Sequence, residues 1–387
     1  MALLGKMLVT LGLDTAEFDG GVTGAKAKMN NFSGEMTKVG GVLTAGITAP
    51  LVAVGYAALD ASTKLNSGLA NVQSLGLTQQ RVEELKTGVQ DLAIEVAKGT
   101  DDMTAGLYQV ESAFGDGAET MKDLEINAKA AAAGLATTKE AIDLTSAVTK
   151  GYGDTTAAAI QQVADLALRT VQLGQTTFPE LAGSIGAVVP LAKQLTVSQQ
   201  ELFAVMATAT GVTGSASEVA TQMRGTLQSL MAPTKDMADL MHKLGFANGE
   251  AMVKSLGYKG TLEAIVNAAN ATHTPLQKYL SSIEGQTLAL TLAGAQSATY
   301  DSKLKQLQDA AGTTQQAFEA QTQGINKNGF AMAQAKEKVE VLLQRLGDGL
   351  GPALSAAATA AQPLIDKALA LATQFTQLDP QTQQMIV

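Results

Sequence analysis

The sequence predicts an all-α fold, arranged as an array of short antiparallel helices with long helical or coiled-coil segments at both ends. Helix-start and helix-stop signals follow one another with little loop between them, most clearly from Thr177 to Gly245. No run with strand periodicity is long enough to build a sheet. Aromatic residues make up 4% of the chain and glycines number 38, so we expect helices that pack closely through small side chains.

The central stretch contains two capping boxes, in which a hydroxyl residue and a glutamate three positions later satisfy each other's backbone donors. One begins at Thr177 and the other at Ser198. Between them, Pro190 removes a helical hydrogen bond and is expected to kink or end the first helix. Gly211 is expected to close the second helix, and Ser215 to open another. Three short helices are therefore predicted here.

Several short motifs in this region occur in an order that resembles the core region of phage tail tape measure proteins. They are Leu173–Phe178, Val189–Ala192, Val197–Leu202, and Ser217–Thr221 ahead of Leu230–Pro233. Upstream, Gly106–Ala113 is similar to the first core helix of that family. The resemblance covers residues 65–300 and rests on the order of the motifs. Thr196 departs from it, because a glycine is expected to end a helix at that position.

This resemblance implies a tape measure, which is a structural ruler and assembly scaffold in the tail lumen. It implies as partners further copies of the same chain, the tail tube protein that polymerises around it, tail assembly chaperones and tail tip proteins. It also implies residence in the host cytoplasm during assembly and in the virion tail afterwards. Release from the tail would then aid DNA passage into the host and bring the protein to the host membrane.

Composition limits the ligands that the chain can bind. The formal net charge is −9, with 27 basic and 36 acidic residues. The clustered lysines and arginines that nucleic-acid binding requires are therefore not expected. The chain contains no cysteine, which excludes disulfides and thiolate metal sites. We predict no direct nucleic-acid binding, no metal and no cofactor.

An N-terminal seam, residues 18–39, is predicted to mediate self-association. Its apolar residues step alternately by four and three positions, which is the spacing of a coiled coil. They are Phe18, Val22, Ala25, Met29, Phe32, Met36 and Val39. An amphipathic helix packed on the protein's own core would show the same spacing, so both interpretations stay open. Glycines within the seam weaken the helix, which favours a helix that needs a partner.

The segment from Val39 to Leu59 carries no charge and is about long enough to cross a hydrocarbon core as a helix. Within it, small residues recur every four positions and form a face that lets helices approach closely. That face consists of Gly41, Ala45, Ala49, Ala53 and Ala57. Pro50 is expected to kink such a helix. A buried bundle helix and a membrane-capable segment both fit this pattern.

Capping signals predict one helix after another from residue 65 to residue 300. The predicted starts between the seam and the central stretch are Thr78, Thr100, Thr137 with Glu140, and Asp154 or Thr155. The predicted helices are about 15 to 20 residues long with short connections, which indicates antiparallel packing.

The C-terminal region has a different composition, because glutamine, alanine and lysine dominate after Asp301. Asp301 to Arg345 is therefore predicted to form one long, solvated helix. The glycine-rich stretch 347–352 predicts a hinge. The resulting parts are residues 1–40, 41–64, 65–300 and 301–387, and the barely begun helix at the end indicates truncation.

No constellation of catalytic residues stands out, and no enzymatic activity is predicted. His242 and His273 are the only histidines, and neither belongs to a metal-binding pattern or lies near an obvious nucleophile. Adjacent carboxylates such as Asp101 and Asp102 point apart on a helix and are expected to face the helix dipole. Two other classes share parts of this composition. A secreted helical pore-forming protein would cause liposome leakage, and a muralytic enzyme would act on peptidoglycan.

Overall fold

A computed structural model describes residues 51–376 of the chain, with side chains described for residues 57–352. Over the described residues the chain forms sixteen α-helices and no strand, which confirms the predicted all-α fold. Contacts divide the chain into two units. The larger unit is residues 68–337, and the smaller one combines residues 1–67 with residues 338–387.

The helices are numbered in chain order. The first eight are α1 Leu51–Gln73, α2 Gln79–Val96, α3 Thr100–Phe114, α4 Thr120–Ala133, α5 Thr138–Tyr152, α6 Ala157–Leu173, α7 Phe178–Ser184 and α8 Val189–Gln194. The other eight are α9 Gln199–Thr213, α10 Ala216–Met231, α11 Lys235–Lys243, α12 Gly249–Thr272, α13 Ile283–Ala293, α14 Ser297–Gln308, α15 Thr313–Gln323 and α16 Lys327–Thr376. Two 3-10 turns, Ile185–Ala187 and Leu276–Lys278, join neighbouring helices.

The larger unit is built around one cluster of buried side chains that runs from Ile126 to Ala310. α10 packs extensively on α13, and α9 packs on α14, so helices distant in sequence meet in the core. The cluster contains few aromatic side chains, among them Phe178 and Phe203, and many alanines, valines and leucines. Burying a side chain of leucine or phenylalanine size contributes roughly 1.5–3 kcal/mol. Aliphatic side chains, from alanine to leucine, thus fill most of the space between the packed helices.

The capping boxes predicted at Thr137, Thr177 and Ser198 are confirmed. In each one, the hydroxyl accepts a hydrogen bond from the N–H of the glutamate three residues later, and the glutamate accepts from the backbone of the cap residue. Thr78 also caps its helix as predicted, since its hydroxyl accepts from the N–H of Arg81 at 3.2 Å. These local signals place the starts of α2, α5, α7 and α9.

Two other predicted helix starts are wrong by one or two residues. Thr100 is the first residue of α3 rather than its cap, and Gly99 occupies the cap position in an extended conformation. The buried side chain of Thr100 packs inward instead. Thr156 caps α6, where Asp154 or Thr155 was predicted. Neighbouring hydroxyl and carboxylate residues give equivalent capping signals, and packing decides among them.

The stretch from Thr177 to Gly245, predicted to contain three short helices, contains five, together with a 3-10 turn. Pro190 does not kink α7 but lies in the first turn of α8, where its missing N–H costs no hydrogen bond. α7 ends earlier, at Ser184. Gly211 lies inside α9, and Gly214 ends that helix with a φ of 68°.

Thr196 adopts the left-handed conformation that a glycine would favour, with a φ of 58°. The N–H of Val197 donates to the carbonyl of Ala192 at 2.9 Å, and the N–H of Thr196 donates to Lys193 at 3.0 Å. This pair of bonds is a Schellman motif. Thr196 therefore replaces the glycine expected from the resembled family, and the helix still ends at this position.

The prediction of one long, solvated helix from Asp301 to Arg345 is wrong. This range contains most of α14, all of α15 and the start of α16. Leu307 and Phe318 are buried, which anchors α14 and α15 in the larger unit. Tyr300 on α14 and Thr314 on α15 are buried as well, so a few spaced side chains anchor helices that are otherwise rich in glutamine.

The predicted hinge at 347–352 is also absent, because α16 continues through it. Within the smaller unit, Gly347 lies against α1, where a Cβ atom would clash with the carbonyl oxygen of Ala58. Next to it, Asp348 accepts a hydrogen bond from the hydroxyl of Ser62 at 2.6 Å. The glycine therefore allows a close helix contact rather than a bend.

Candidate functional site

Most residues predicted to mediate association lie outside the described part of the chain. These are the seam residues Phe18, Val22, Ala25, Met29, Phe32, Met36 and Val39, and Gly41, Ala45 and Ala49 of the small-residue face. Ala53 and Ala57 lie on α1. Ala57 is exposed, whereas the adjacent Ala58 is buried. The seam and the small-residue face therefore both stay predictions.

Glu201, in the first turn of α9, caps two helical segments with one carboxylate. Its Oε2 accepts hydrogen bonds from the N–H and the hydroxyl of Ser198, at 3.0 and 2.8 Å. Its Oε1 accepts from the N–H of Tyr258 at 2.8 Å. That N–H requires a partner because α12 is broken at Gly257, where φ is 73°. Hydrogen bonds to a charged group contribute roughly 1.5–3 kcal/mol each, so Glu201 joins α9 to α12.

The buried Tyr258 and Tyr300 and the partly buried Tyr152 lie close enough to Glu201 for its charge to affect them. The hydroxyl of Tyr258 pairs with that of Thr226, and Tyr152 donates to a backbone carbonyl at 2.9 Å. The buried hydroxyl of Tyr300 has no partner among the described residues. Burial raises the pKa of each tyrosine, and the charge of Glu201 raises it further. All three therefore remain neutral at physiological pH.

Two glycines allow the close contact between α10 and α13. A Cβ atom on Gly225 would lie 3.0 Å from the backbone nitrogen of Gly285, and one on Gly285 would lie 3.0 Å from the carbonyl carbon of Gly225. Ser282 caps α13 at the same place, since its hydroxyl accepts from the N–H of Gly285 at 3.0 Å. The small residues that the composition predicted at helix contacts are thus found there.

Asp165, on α6, caps a helix far along the chain. Its Oδ2 accepts from the N–H of Gly312 at 2.9 Å, and its Oδ1 accepts from the N–H of Thr314 at 2.8 Å. The side chain of Gln161 also donates to Oδ1, at 3.2 Å. Asp165 is 4% exposed, so its carboxylate and the start of α15 satisfy each other inside the protein. Sequence analysis did not predict this contact. Every residue except proline carries a backbone N–H, so the sequence does not show which of these donors Asp165 binds.

Asp102 also caps another helix, one that is nearer to it in the sequence. Its two oxygens accept from the N–H and the hydroxyl of Thr138, at 3.1 and 2.6 Å, at the start of α5. Lys98 forms an ion pair with it at 3.3 Å. The sequence predicted only an interaction with the dipole of its own helix, whereas Asp102 also links α3 to α5.

The described residues offer no group of three or more histidine, cysteine or acidic side chains that could hold a metal ion. His242 and His273 are both exposed, and His273 follows the end of α12 in a left-handed conformation. None of the helices between residues 51 and 376 combines the length and hydropathy needed to cross a membrane. Most of the uncharged segment from Val39 to Leu59 precedes that range.

The fold and these contacts define an all-α protein whose helices are joined by long-range caps and by close glycine contacts. A family model of phage-related minor tail proteins matches residues 90–285, which is just over half of the chain. The chain belongs to this family, and it is a phage tail protein with a structural role in the tail. Searches of curated proteins and of solved structures found no match. The matched range contains Asp102, Asp165 and Glu201.

Proposed function

We propose that the chain is a tape measure protein, the ruler and scaffold of a long phage tail. The observation that carries this proposal is the position of the family match. Residues 90–285 fall within residues 65–300, whose ordered motifs resemble the tape measure core. The proposed role is steric and geometric, and it requires no catalytic step, metal or cofactor.

Helical rise would supply the scale of the ruler. α16 contains 50 residues and, at 1.5 Å per residue, is about 75 Å long. All 387 residues as a single helix would span about 580 Å. Residues 68–337 form a compact unit, so the folded chain spans less than this upper limit. Uninterrupted helices such as α16 are therefore the parts that set length in this proposal.

Duplicating residues 353–370 of α16 tests the ruler. The duplication adds 18 residues, or five helical turns, and should lengthen the tail by about 27 Å. Two successive duplications should lengthen it by about 54 Å. Tail length is measured by electron microscopy of phage that carry each variant. Shuffling the order of the same 18 residues keeps the length of the chain and serves as the control. Tails of equal length in all variants would contradict the proposal.

The proposed partners are further copies of the chain, the tail tube protein, tail assembly chaperones and tail tip proteins. Self-association would use the seam of residues 18–39, and its test is the mass of the purified chain by light scattering. An oligomer is expected, and V22E/M29E/M36E should dissociate it, because three charges would be buried in the seam. The matched control places three glutamates at the exposed positions Gln79, Gln80 and Ser217. If the wild-type chain is a monomer, self-association through the seam is ruled out.

The proposed location is the tail lumen, with release that aids DNA passage into the host. In that step the uncharged segment from Val39 to Leu59 would contact the host membrane. Partition of this segment into liposomes, compared with a scrambled peptide, tests the contact. Equal partition of both peptides would remove the membrane step but leave the ruler intact.

A further inference from the structure

The corner between α3 and α4 contains two buried carboxyl groups that take no part in capping. Glu111 is 6% exposed and Asp123 is 5% exposed. Both side-chain oxygens of Glu111 and the Oδ1 of Asp123 are buried without a well-aligned hydrogen-bond partner. A buried carboxylate without partners is costly when it is ionised, because it loses its hydration and gains nothing in return. The corner therefore favours the protonated form of both groups.

Arg81 of α2 binds the exposed side of the loop that joins α3 to α4. The Nε of Arg81 donates to Asp116 at 2.9 Å, and one Nη donates to the carbonyl of Gly117 at 3.0 Å. The N–H of Gly117 donates to the hydroxyl of Thr120 at 3.0 Å. The loop thus has charge-assisted bonds, whereas Glu111, in the last turn of α3, has the hydroxyl of Thr120 nearby but no hydrogen bond of good geometry.

The charges around the corner mostly oppose ionisation. Burial raises the pKa of Glu111 and the charge of Asp116 raises it further, whereas the hydroxyl of Thr120 and the charge of Arg81 lower it. Burial raises the pKa of Asp123 to about 6, and Glu119 acts in the same direction. Arg81 is the only cation that acts on either carboxyl group in the described structure, and it is already paired with Asp116.

The corner also lies at the edge of the larger unit. Among the described residues, the main core cluster runs from Ile126 to Ala310 and contains no residue of α2 or α3. α4 enters the cluster only from Ile126 onwards, through Ile126, Ala130 and Ala131, and Phe114, at the end of α3, packs against it. Elements outside the main core can open without unfolding the rest of a domain. A local destabilisation at the corner would therefore produce a local opening.

We propose that the α3–α4 corner is an acid-stabilised switch, which is closed at mildly acidic pH and is the first part of the larger unit to open when Glu111 and Asp123 ionise. The sign follows from linkage between proton binding and folding. A carboxyl group with a raised folded-state pKa stabilises the fold below its unfolded pKa, and this contribution is lost as pH rises through the folded pKa. For Asp123 that window runs from about 4 to about 6. The switch does not depend on the tape measure role.

Hydrogen–deuterium exchange of the full chain at about pH 5 and about pH 7.5 tests the switch. After correction for intrinsic exchange rates, peptides from residues 100–125 should be about tenfold less protected at the higher pH. Peptides from α10 and α13 should keep the same protection at both values. E111Q/D123N should keep residues 100–125 protected at the higher pH. The control E83Q/D309N removes two exposed carboxylates and should behave like the wild-type chain.

An unchanged pH dependence in E111Q/D123N would overturn the proposal. An equal loss of protection in residues 100–125 and in α10 and α13 would also overturn it. If E111Q/D123N does not fold, a pH titration of the wild-type chain decides the question. A transition confined to residues 100–125 with a midpoint near 6 supports the switch, and a transition shared by all peptides overturns it.

Discussion

Asp165 and Glu111 are both buried carboxylates of the larger unit, yet their surroundings differ completely. Asp165 accepts hydrogen bonds from two backbone N–H groups at the start of α15 and from the side chain of Gln161. Glu111 has the same low exposure and no well-aligned partner for either oxygen. Both groups lose their hydrogen bonds to water on folding, and only for Asp165 do well-aligned hydrogen bonds from the protein replace them.

This difference shows that the partners of a buried carboxylate decide its effect on stability. A carboxylate that accepts from the first N–H groups of a helix satisfies donors that would otherwise be orphaned, and it also interacts with the helix dipole. A carboxylate without donors stabilises the fold only when it is protonated. Asp165 should therefore stabilise the unit as an anion, and Glu111 and Asp123 should do so as neutral acids.

The largest expected effect is that of Asp165→Ala. It removes the acceptor of the N–H groups of Gly312 and of the buried Thr314, so the free energy of unfolding should fall by about 3 kcal/mol. Urea denaturation of the full chain at neutral pH, followed by circular dichroism, measures this change.

Asp165→Asn is the matched control for that variant. Its single amide oxygen can accept from one of the two N–H groups, so about half of the loss should be recovered. Asp309→Ala removes an exposed carboxylate and should change stability by less than about 0.5 kcal/mol. If Asp165→Ala were as stable as Asp309→Ala, the long-range cap would have no energetic role.

A smaller effect of opposite sign is expected for Glu111→Gln. At about pH 7.5 it removes a buried charge that is repelled by Asp116, and the free energy of unfolding should rise by roughly 1 kcal/mol. At about pH 4 the variant should match the wild-type chain, because the raised pKa keeps Glu111 protonated there. Urea denaturation at the two pH values measures both results.

Glu83→Gln on α2 provides the comparison for that measurement, since Glu83 is exposed. It should leave stability unchanged at both pH values, within about 0.5 kcal/mol. A destabilised Glu111→Gln at neutral pH would mean that the Glu111 carboxylate contributes favourable contacts, and the contrast with Asp165 would then disappear.

Sequence analysis predicted the helical class and the local caps because their signals lie within a few residues. The box at Thr177 needs only Glu180, and the box at Ser198 needs only Glu201. Thr100 shows the limit of such signals, since the adjacent Gly99 took the cap position. Local chemistry therefore identified helices reliably, and their ends to within one or two residues.

The contacts that join distant helices could not be predicted in this way. Asp165 pairs with backbone groups 147 and 149 residues away, and any residue except proline carries such a donor. Gly347 was interpreted as part of a hinge because glycine marks a bend and a close helix contact equally well in a sequence. Only the position of Ala58 on α1 distinguishes the two.

The cap on α15 also constrains the order in which the larger unit can be completed during synthesis. The ribosome makes α6 long before it makes Gly312 and Thr314. Until those residues emerge, the carboxylate of Asp165 must stay hydrated, so the face of α6 that carries it cannot close over it. Domains usually fold as their residues become available from the N-terminal end. Here the last short helix of the unit supplies the donors that an early helix requires, so a nascent chain that stops before α15 retains an unfinished core.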